Sequence, residues 1–302
     1  MGRIAFLFAG QGDQKGGMGK DIYYSYPSAA SVFDTLENIR PSTKEQCFSG
    51  SDEILKQTKN TQPCLYALET AYCEVLKENG IVPSCTAGFS LGEISACCYA
   101  GIFSLEDGFR LVIKRAEFME EEALKNDTFM AAVLKLEPSC LSEICKKFKR
   151  IYPVNYNCPG QISVSGLTEE KEAFFEAVKE NKGRAVPLNV SGAFHCPFMD
   201  EAGSKFLDEL ERFDLCNPTV PIYSDLTGEL YQDNIKELLS KQINHPVRWE
   251  KIIRNMIFSG VDTFIEIGPG KTLTNMVKKI DKDVKAYSVC NLDEILKEVK
   301  PC

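Results

Sequence analysis

The spacing of apolar residues changes several times along the chain, and each change marks an element. Ile4–Ala9, IAFLFA, is a short continuous apolar run, as expected of a strand covered on both faces. It opens into a glycine-rich loop from Gly10 to Gly19. The next pattern predicts a helix that starts at Pro63, a residue suited to a first helical turn, and stops before Gly80. A short strand is expected near Cys85–Gly88, then a helix ending at Gly101. Ser104 is placed to cap a long helix, with Asp107 completing a capping box. Strands alternating with helices in this way imply a parallel sheet with helices on both faces.

Between residues 128 and 189 the rhythm breaks. The pattern reads strand Met130–Lys135, helix Pro138–Phe148, strand Ile151–Asn155, strand Gln161–Gly166, helix Thr168–Asn181 and strand Arg184–Pro187. This βαββαβ order is that of a ferredoxin-like split unit. The alternation then resumes: helix near Phe198–Phe213, strand Val220–Tyr223, helix near Val247–Ser259, strand Thr263–Ile267 and helix Thr272–Ile280. The expected architecture is α/β. A large parallel-sheet domain (1–127 and 190–302) carries an inserted ferredoxin-like small domain (128–189), with a crevice between them as a natural ligand site.

Composition narrows the picture. The 302 residues are 44% hydrophobic and 26% charged, ordinary for a globular chain. No apolar run approaches the roughly 20 residues of a membrane span, and the first one is too short for a signal-peptide core. A formal net charge of −8 argues against nucleic acid as a partner. Thirteen cysteines and two histidines, with no Cys-x-x-Cys, give no metal pattern. They are expected to be reduced thiols of a cytoplasmic protein.

The stretch TAGFSLGEISA sets Ser90 between Gly88 and Gly92 where a strand should turn into a helix. Two readings compete. Ser90-Leu91-Gly92-Glu93 is a capping box, Ser-x-x-Glu. Gly88-Phe89-Ser90-Leu91-Gly92 is also a nucleophile elbow, Gly-x-Ser-x-Gly, which would hold the serine oxygen up beside the free N–H groups of a helix start. A serine nucleophile needs a base. His245, before Pro246, is expected at the surface. His195, in a loop where the large domain resumes, is the better candidate, with plain packing as the alternative. On its helix Arg115 is flanked by Leu111, Val112, Phe118 and Met119, so its guanidinium either snorkels to water or pairs with an anion.

Four separated motifs, in order over nearly the whole chain, resemble the malonyl-CoA:acyl carrier protein transacylases: FLFAGQGDQ, GFSLGE, AFHCPFM and EIGPGKTLTNMVKKI. KRAEFM, NCPGQ and NHPVRW add to the likeness. The resemblance implies that Ser90 is the nucleophile taking an acyl group from coenzyme A, and His195 the general base and later acid. It implies an oxyanion hole from the N–H groups of Gln11 and Leu91, and a main-chain carbonyl, at Arg248, in place of the carboxylate that usually orients a catalytic histidine. Arg115 resembles the arginine that grips the malonyl carboxylate. Met119, Phe194 and Phe89 are assigned to the acyl pocket. Phe89 stands where the commonest family pattern has histidine, which leaves acyl specificity open.

The implied partners are malonyl-CoA and an acyl carrier protein. No cofactor is bound permanently, coenzyme A thioester being the substrate, and the chain is expected to act as a monomer without nucleic acid or membrane. Arg248, Lys251, Arg254, Lys271, Lys278 and Lys279 are candidates for a basic docking patch, or solvated helix faces. Other readings are a trans-acting loader or acyl hydrolase of different acyl preference, and a non-catalytic carrier-protein-binding module. EIGPGKTLT is not a phosphate loop, because Ile265 stands where glycine is required. GQGDQK is not a dinucleotide fingerprint, because Lys15 stands at the third glycine. Both read as tight turns.

Overall fold

The computed structural model describes residues 2–190 and 192–299. Its strands are β1 (Arg3–Phe8), β2 (Cys85–Gly88), β3 (Thr128–Leu134), β4 (Ile151–Cys158), β5 (Gln161–Leu167), β6 (Arg184–Pro187), β7 (Ile222–Tyr223), β8 (Val261–Ile267) and β9 (Lys285–Ser288). They form two sheets, ordered β7-β2-β1-β8-β9 and β4-β5-β3-β6. Every pairing in the first is parallel and every pairing in the second antiparallel.

The central strand β1 explains its own sequence. Ile4, Phe6 and Phe8 enter the hydrophobic cluster on one face, and Ala5, Leu7 and Ala9 enter the cluster on the other. With helices on both faces there is no water side, so alternation of apolar and polar residues disappears. The second sheet uses helices Pro138–Cys145 and Lys171–Glu180 to cover a core of Phe129, Val133, Ile144, Val164 and Phe174. The chain is therefore α/β: a hydrolase-like parallel sheet with a ferredoxin-like βαββαβ insertion.

Most predicted elements are present, with shifted ends. β6 and the helix Thr272–Ile280 have the predicted bounds. The helix expected from Pro63 instead runs Thr58–Glu78, with the proline inside it. Proline cannot donate to the carbonyl four residues back, which is that of Lys59. Arg40 Nη2 donates to that carbonyl, at 3.4 Å, so the missing bond is partly replaced. Ser104 Oγ accepts from Asp107 N at 3.0 Å, as a cap should. The Asp107 carboxylate does not close the predicted box, since it accepts from Arg110 instead. Helices at Lys20–Ser25, Pro27–Ile39, Thr43–Ser49, Asp52–Lys56, Ile235–Lys241 and Leu292–Glu298, and strand β9, were not predicted.

The two sheets are joined close to the chemistry. Val247 N donates to Val154 O at 2.8 Å and Tyr156 N to Val247 O at 2.9 Å, so β4 borrows a partner from the large unit. Ser165 on β5 donates its hydroxyl to Phe194 O at 3.0 Å, fixing the loop that carries His195. Twelve cysteines are free thiols, eight of them buried, and only Cys216 and Cys290 are exposed. Cys302 lies outside the described residues. Among the described residues no helix is long and apolar enough to cross a membrane.

Candidate active site

The elbow follows from crowding. Strand β2 ends at Gly88, and the next helix begins at Gly92. A Cβ on Gly88 would lie 1.9 Å from the Gly92 carbonyl carbon, and one on Gly92 would lie 2.3 Å from Phe8 O. Only hydrogen fits at either place. The turn between them puts Ser90 at φ 55°, left-handed space that a serine enters only when its surroundings compel it.

The serine oxygen meets two groups. His195 Nε2 lies 2.8 Å from Ser90 Oγ, and Arg115 Nη2 donates to the same oxygen at 3.2 Å. His195 Nδ1 is 2.8 Å from the main-chain carbonyl of Gln242. A carbonyl only accepts, so the proton sits on Nδ1, and Nε2 is left bare to accept from the serine hydroxyl. His195 also has a left-handed backbone, φ 59°, and is buried. Burial first, and the nearby Arg115 cation second, push its pKa down to about 4. It is a neutral base at ordinary pH.

The capping-box reading of Ser90 fails. The helix N-cap position is Leu91, with no side-chain cap, and the Ser90 hydroxyl is used by His195. Glu93 does not return to the Ser90 N–H. That N–H donates to Asp225 Oδ2, while Glu93 accepts from Asp225 N at 2.8 Å, Tyr231 Oη at 2.7 Å and Gln242 Nε2 at 2.8 Å. The N–H groups of Gln11 and Leu91 meet no acceptor among the described residues.

The expected role for Arg248 is corrected. Its carbonyl accepts from Ile252 N at 3.1 Å, inside the first turn of the helix Trp249–Phe258, and its N–H donates to Asp225 O. The group that meets the histidine is six residues earlier, at Gln242. A carbonyl leaves no trace in residue type, so the sequence pattern could not place it.

Arg115 does not snorkel. It is wholly buried, and donates to Gln62 Oε1 and Gln242 Oε1, both at 2.8 Å. Its Nε has no partner. Burial lowers its pKa to about 10, against the pull of Glu93 and Asp225, so it stays charged. Gln62 Nε2 in turn donates to Gln11 Oε1 at 3.0 Å and reaches Met119 Sδ at 3.5 Å, tying the loop after β1 to the arginine. Phe194 is buried beside His195. Phe89 turns its ring edge-on to Trp249, 5.3 Å between centroids. His245 is exposed, as expected. Gln62, Gln242, Asp225 and Tyr231 escaped the sequence reading, since no spacing marks an amide or a phenol that works at long range. In the basic patch Lys251 and Arg254 are paired with Glu229 and Glu250, and Lys279 donates to Gln161. Among the described residues no cluster of His, Cys, Asp and Glu could hold a metal ion.

A half-buried serine whose oxygen meets a buried imidazole and a buried guanidinium can carry out acyl transfer. The comparisons point the same way. The acyl transferase domain profile matches residues 5–297. A malonyl CoA-acyl carrier protein transacylase of Bacillus subtilis is 40% identical, over 98% of this chain and 96% of its own. That of Synechocystis is 35% identical, over 97% and 99%. Among solved structures, the transacylase of Clostridium perfringens superimposes with a TM-score of 0.95 at 38% identity, covering 98% of this chain and 97% of its own. A malonyl-transacylase solved in complex with a type II polyketide synthase acyl-carrier protein gives 0.94 at 31% identity, covering 98% and 99%.

Proposed function

The chain belongs to the acyl transferase family, and from that premise we propose that it moves a malonyl group from coenzyme A to the phosphopantetheine thiol of an acyl carrier protein, in fatty acid or polyketide synthesis, through a malonyl ester on Ser90. Relatives with this activity match it from end to end, and the reading rests most on one contact, Ser90 Oγ to His195 Nε2 at 2.8 Å.

In the first half-reaction His195 Nε2 takes the Ser90 proton as Oγ attacks the thioester carbonyl. The oxyanion forms against the N–H groups of Leu91 and Gln11. As it collapses, the carbon–sulfur bond breaks and His195 returns the proton to the departing thiolate. In the second, the carrier thiol gives its proton to His195 and attacks the ester, and Ser90 recovers its hydrogen. The imidazolium formed in each half has only the neutral Gln242 carbonyl to lean on, not a carboxylate. Arg115 opposes that charge, and it donates to no anion directly. A malonyl carboxylate on the guanidinium offsets it, so the group that selects the substrate also eases proton transfer. Met119, Phe194 and Phe89 bound the space for the acyl chain.

The same reading makes the protein a cytoplasmic monomer, in keeping with its free thiols. The docking site for the acidic carrier lies on the basic faces of helices Trp249–Phe258 and Thr272–Ile280. The test is intact-mass analysis after incubation with malonyl-CoA. The parent enzyme gains one malonyl mass and Ser90→Ala gains none; an adduct persisting on the variant would sink the assignment.

A further inference from the structure

Beneath Ser90 lies a layer of buried charge that the two half-reactions do not use. Glu93 and Asp225 are both wholly buried, as is Arg115. Arg115 donates only to neutral oxygens, those of Gln62, Gln242 and Ser90. Between Arg115 and Glu93 stands one amide: Gln242 Oε1 accepts from the guanidinium, and its Nε2 donates to Glu93 Oε2. The two carboxyl groups are served unequally. Glu93 receives three donors, from Asp225 N, Tyr231 Oη and Gln242 Nε2. Asp225 receives one, from Ser90 N, and its Oδ1 has none.

Donors stabilise an ionised carboxylate, and an unpaired oxygen in a dry site favours the acid. The empty site is therefore balanced, with Arg115 and Glu93 charged and Asp225 protonated. An acyl group carrying its own carboxylate upsets this balance, because two anions then share one buried cation.

We propose that Glu93 is the counter-ion of Arg115 and a positioning residue for acyl selection: when a carboxylate-bearing acyl group pairs with Arg115, Glu93 takes up one proton from solvent. This rests on the reading that Arg115 grips the acyl carboxylate. The titratable and charged groups facing Glu93 are Asp225, Arg115 and Tyr231 from other elements, and Cys97 from its own helix. Burial, opposed by the three donors, brings Glu93 up to about 7, while burial and then Glu93 hold Asp225 well above its ordinary range. The proton Glu93 lacks is thus one that ordinary pH can supply.

The experiment measures the loading equilibrium, acyl-enzyme plus coenzyme A against enzyme plus acyl-CoA, by intact mass from pH 6 to 9. Malonyl-CoA and acetyl-CoA are run in parallel, so that ionisation of the coenzyme A thiol cancels in their ratio. Above about pH 7 the malonyl-to-acetyl ratio is expected to fall about tenfold per pH unit, the signature of one proton bound. Glu93→Gln flattens the ratio, and Asp225→Asn keeps the slope. A flat ratio in the parent enzyme overturns the proposal without any variant. A slope that survives Glu93→Gln and vanishes in Asp225→Asn overturns the assignment to Glu93. Failure of the underlying reading looks different: Arg115→Ala would then still prefer malonyl to acetyl at every pH.

Discussion

The turn after β2 and the turn after β8 are built alike and used differently. Each is a glycine-bracketed passage from a buried parallel strand to a helix, and each keeps buried carboxyl groups near the helix start. After β8, Glu266 accepts from Leu273 N at 3.1 Å and from Thr274 N and Thr274 Oγ1, both at 2.7 Å. The protein's own anion fills that helix end. After β2, the carboxyl groups reach around from below. Asp225 takes the N–H of Ser90, Glu93 faces away into the network, and Leu91 N–H meets no acceptor among the described residues. A helix start is an anion site only where the protein has not already occupied it. The two turns differ in which N–H groups their carboxyl groups reach, not in whether carboxyl groups are present.

The contrast can be broken most severely at Gly92. Its substitution by alanine drives a Cβ against the main chain of β1, 2.3 Å from Phe8 O, with no side chain to move aside. Malonyl loading is expected to fall by about a thousandfold, in keeping with the loss of nucleophile and oxyanion geometry together. Gly270→Ala, in the silent turn, meets the Asp13 side chain, 1.9 Å from Oδ2 and 2.5 Å from Cβ, so the carboxylate must turn away at the loss of its bond to Thr272 and the loop at Asp13 must give by a fraction of an ångström. Loading should survive it. If the two variants lose activity equally, the distinction between the turns is wrong.

Next in size is Arg115→Ala. Removing one partner of a buried charged pair costs at least about 3 kcal/mol, or two decades or more of malonyl loading, with acetyl loading kept or improved. Equal loss for both substrates would reduce Arg115 to a structural role.

His195 gives a pH test. Its folded pKa of about 4 lies below the ordinary 6.5, so the unfolded chain binds the proton more tightly. Stability is full above pH 6.5, declines as pH falls toward 4, and levels off below. The total is about 3 kcal/mol by linkage. Denaturant midpoints measured across that window should show the decline, and His195→Gln should lack it. The kcat/KM of the parent enzyme should show no acid limb near 6.5.

The smallest effect belongs to the silent turn. Glu266→Gln weakens the charged cap and should cost about 1–3 kcal/mol of stability, read as a lower melting temperature, with loading unchanged. Lost loading at full stability would mean that this turn, too, serves the chemistry.

The sequence displayed those features that depend on residue type at fixed spacing. Gly88, Ser90 and Gly92 announce the elbow because only glycine fits the crowded positions, and β1 announces itself because both its faces are buried. His195 was legible by scarcity, with one other imidazole to choose from. Pro63 misled, since a proline tolerated inside a helix looks like a proline starting one until Arg40 is seen at the Lys59 carbonyl. Arg248 misled because the histidine's partner is a main-chain oxygen, and every residue has one. Glu93 was legible only in its local guise as a cap partner. Its real partners, Asp225, Tyr231 and Gln242, lie more than a hundred residues away, with separations of 132, 138 and 149.

The thiols noted in the fold have a practical use. Burial pushes Cys47, Cys73 and Cys97 well above the ordinary thiol range, and Cys145 and Cys196 up to about 12, so they resist alkylation while the chain stays closed. They are spread through both sheets' cores. A brief pulse of alkylating reagent therefore marks the thiols that were open at that moment, and peptide mapping reads which core they belong to. The enzyme carries its own gauge of local opening, with no cysteine to introduce.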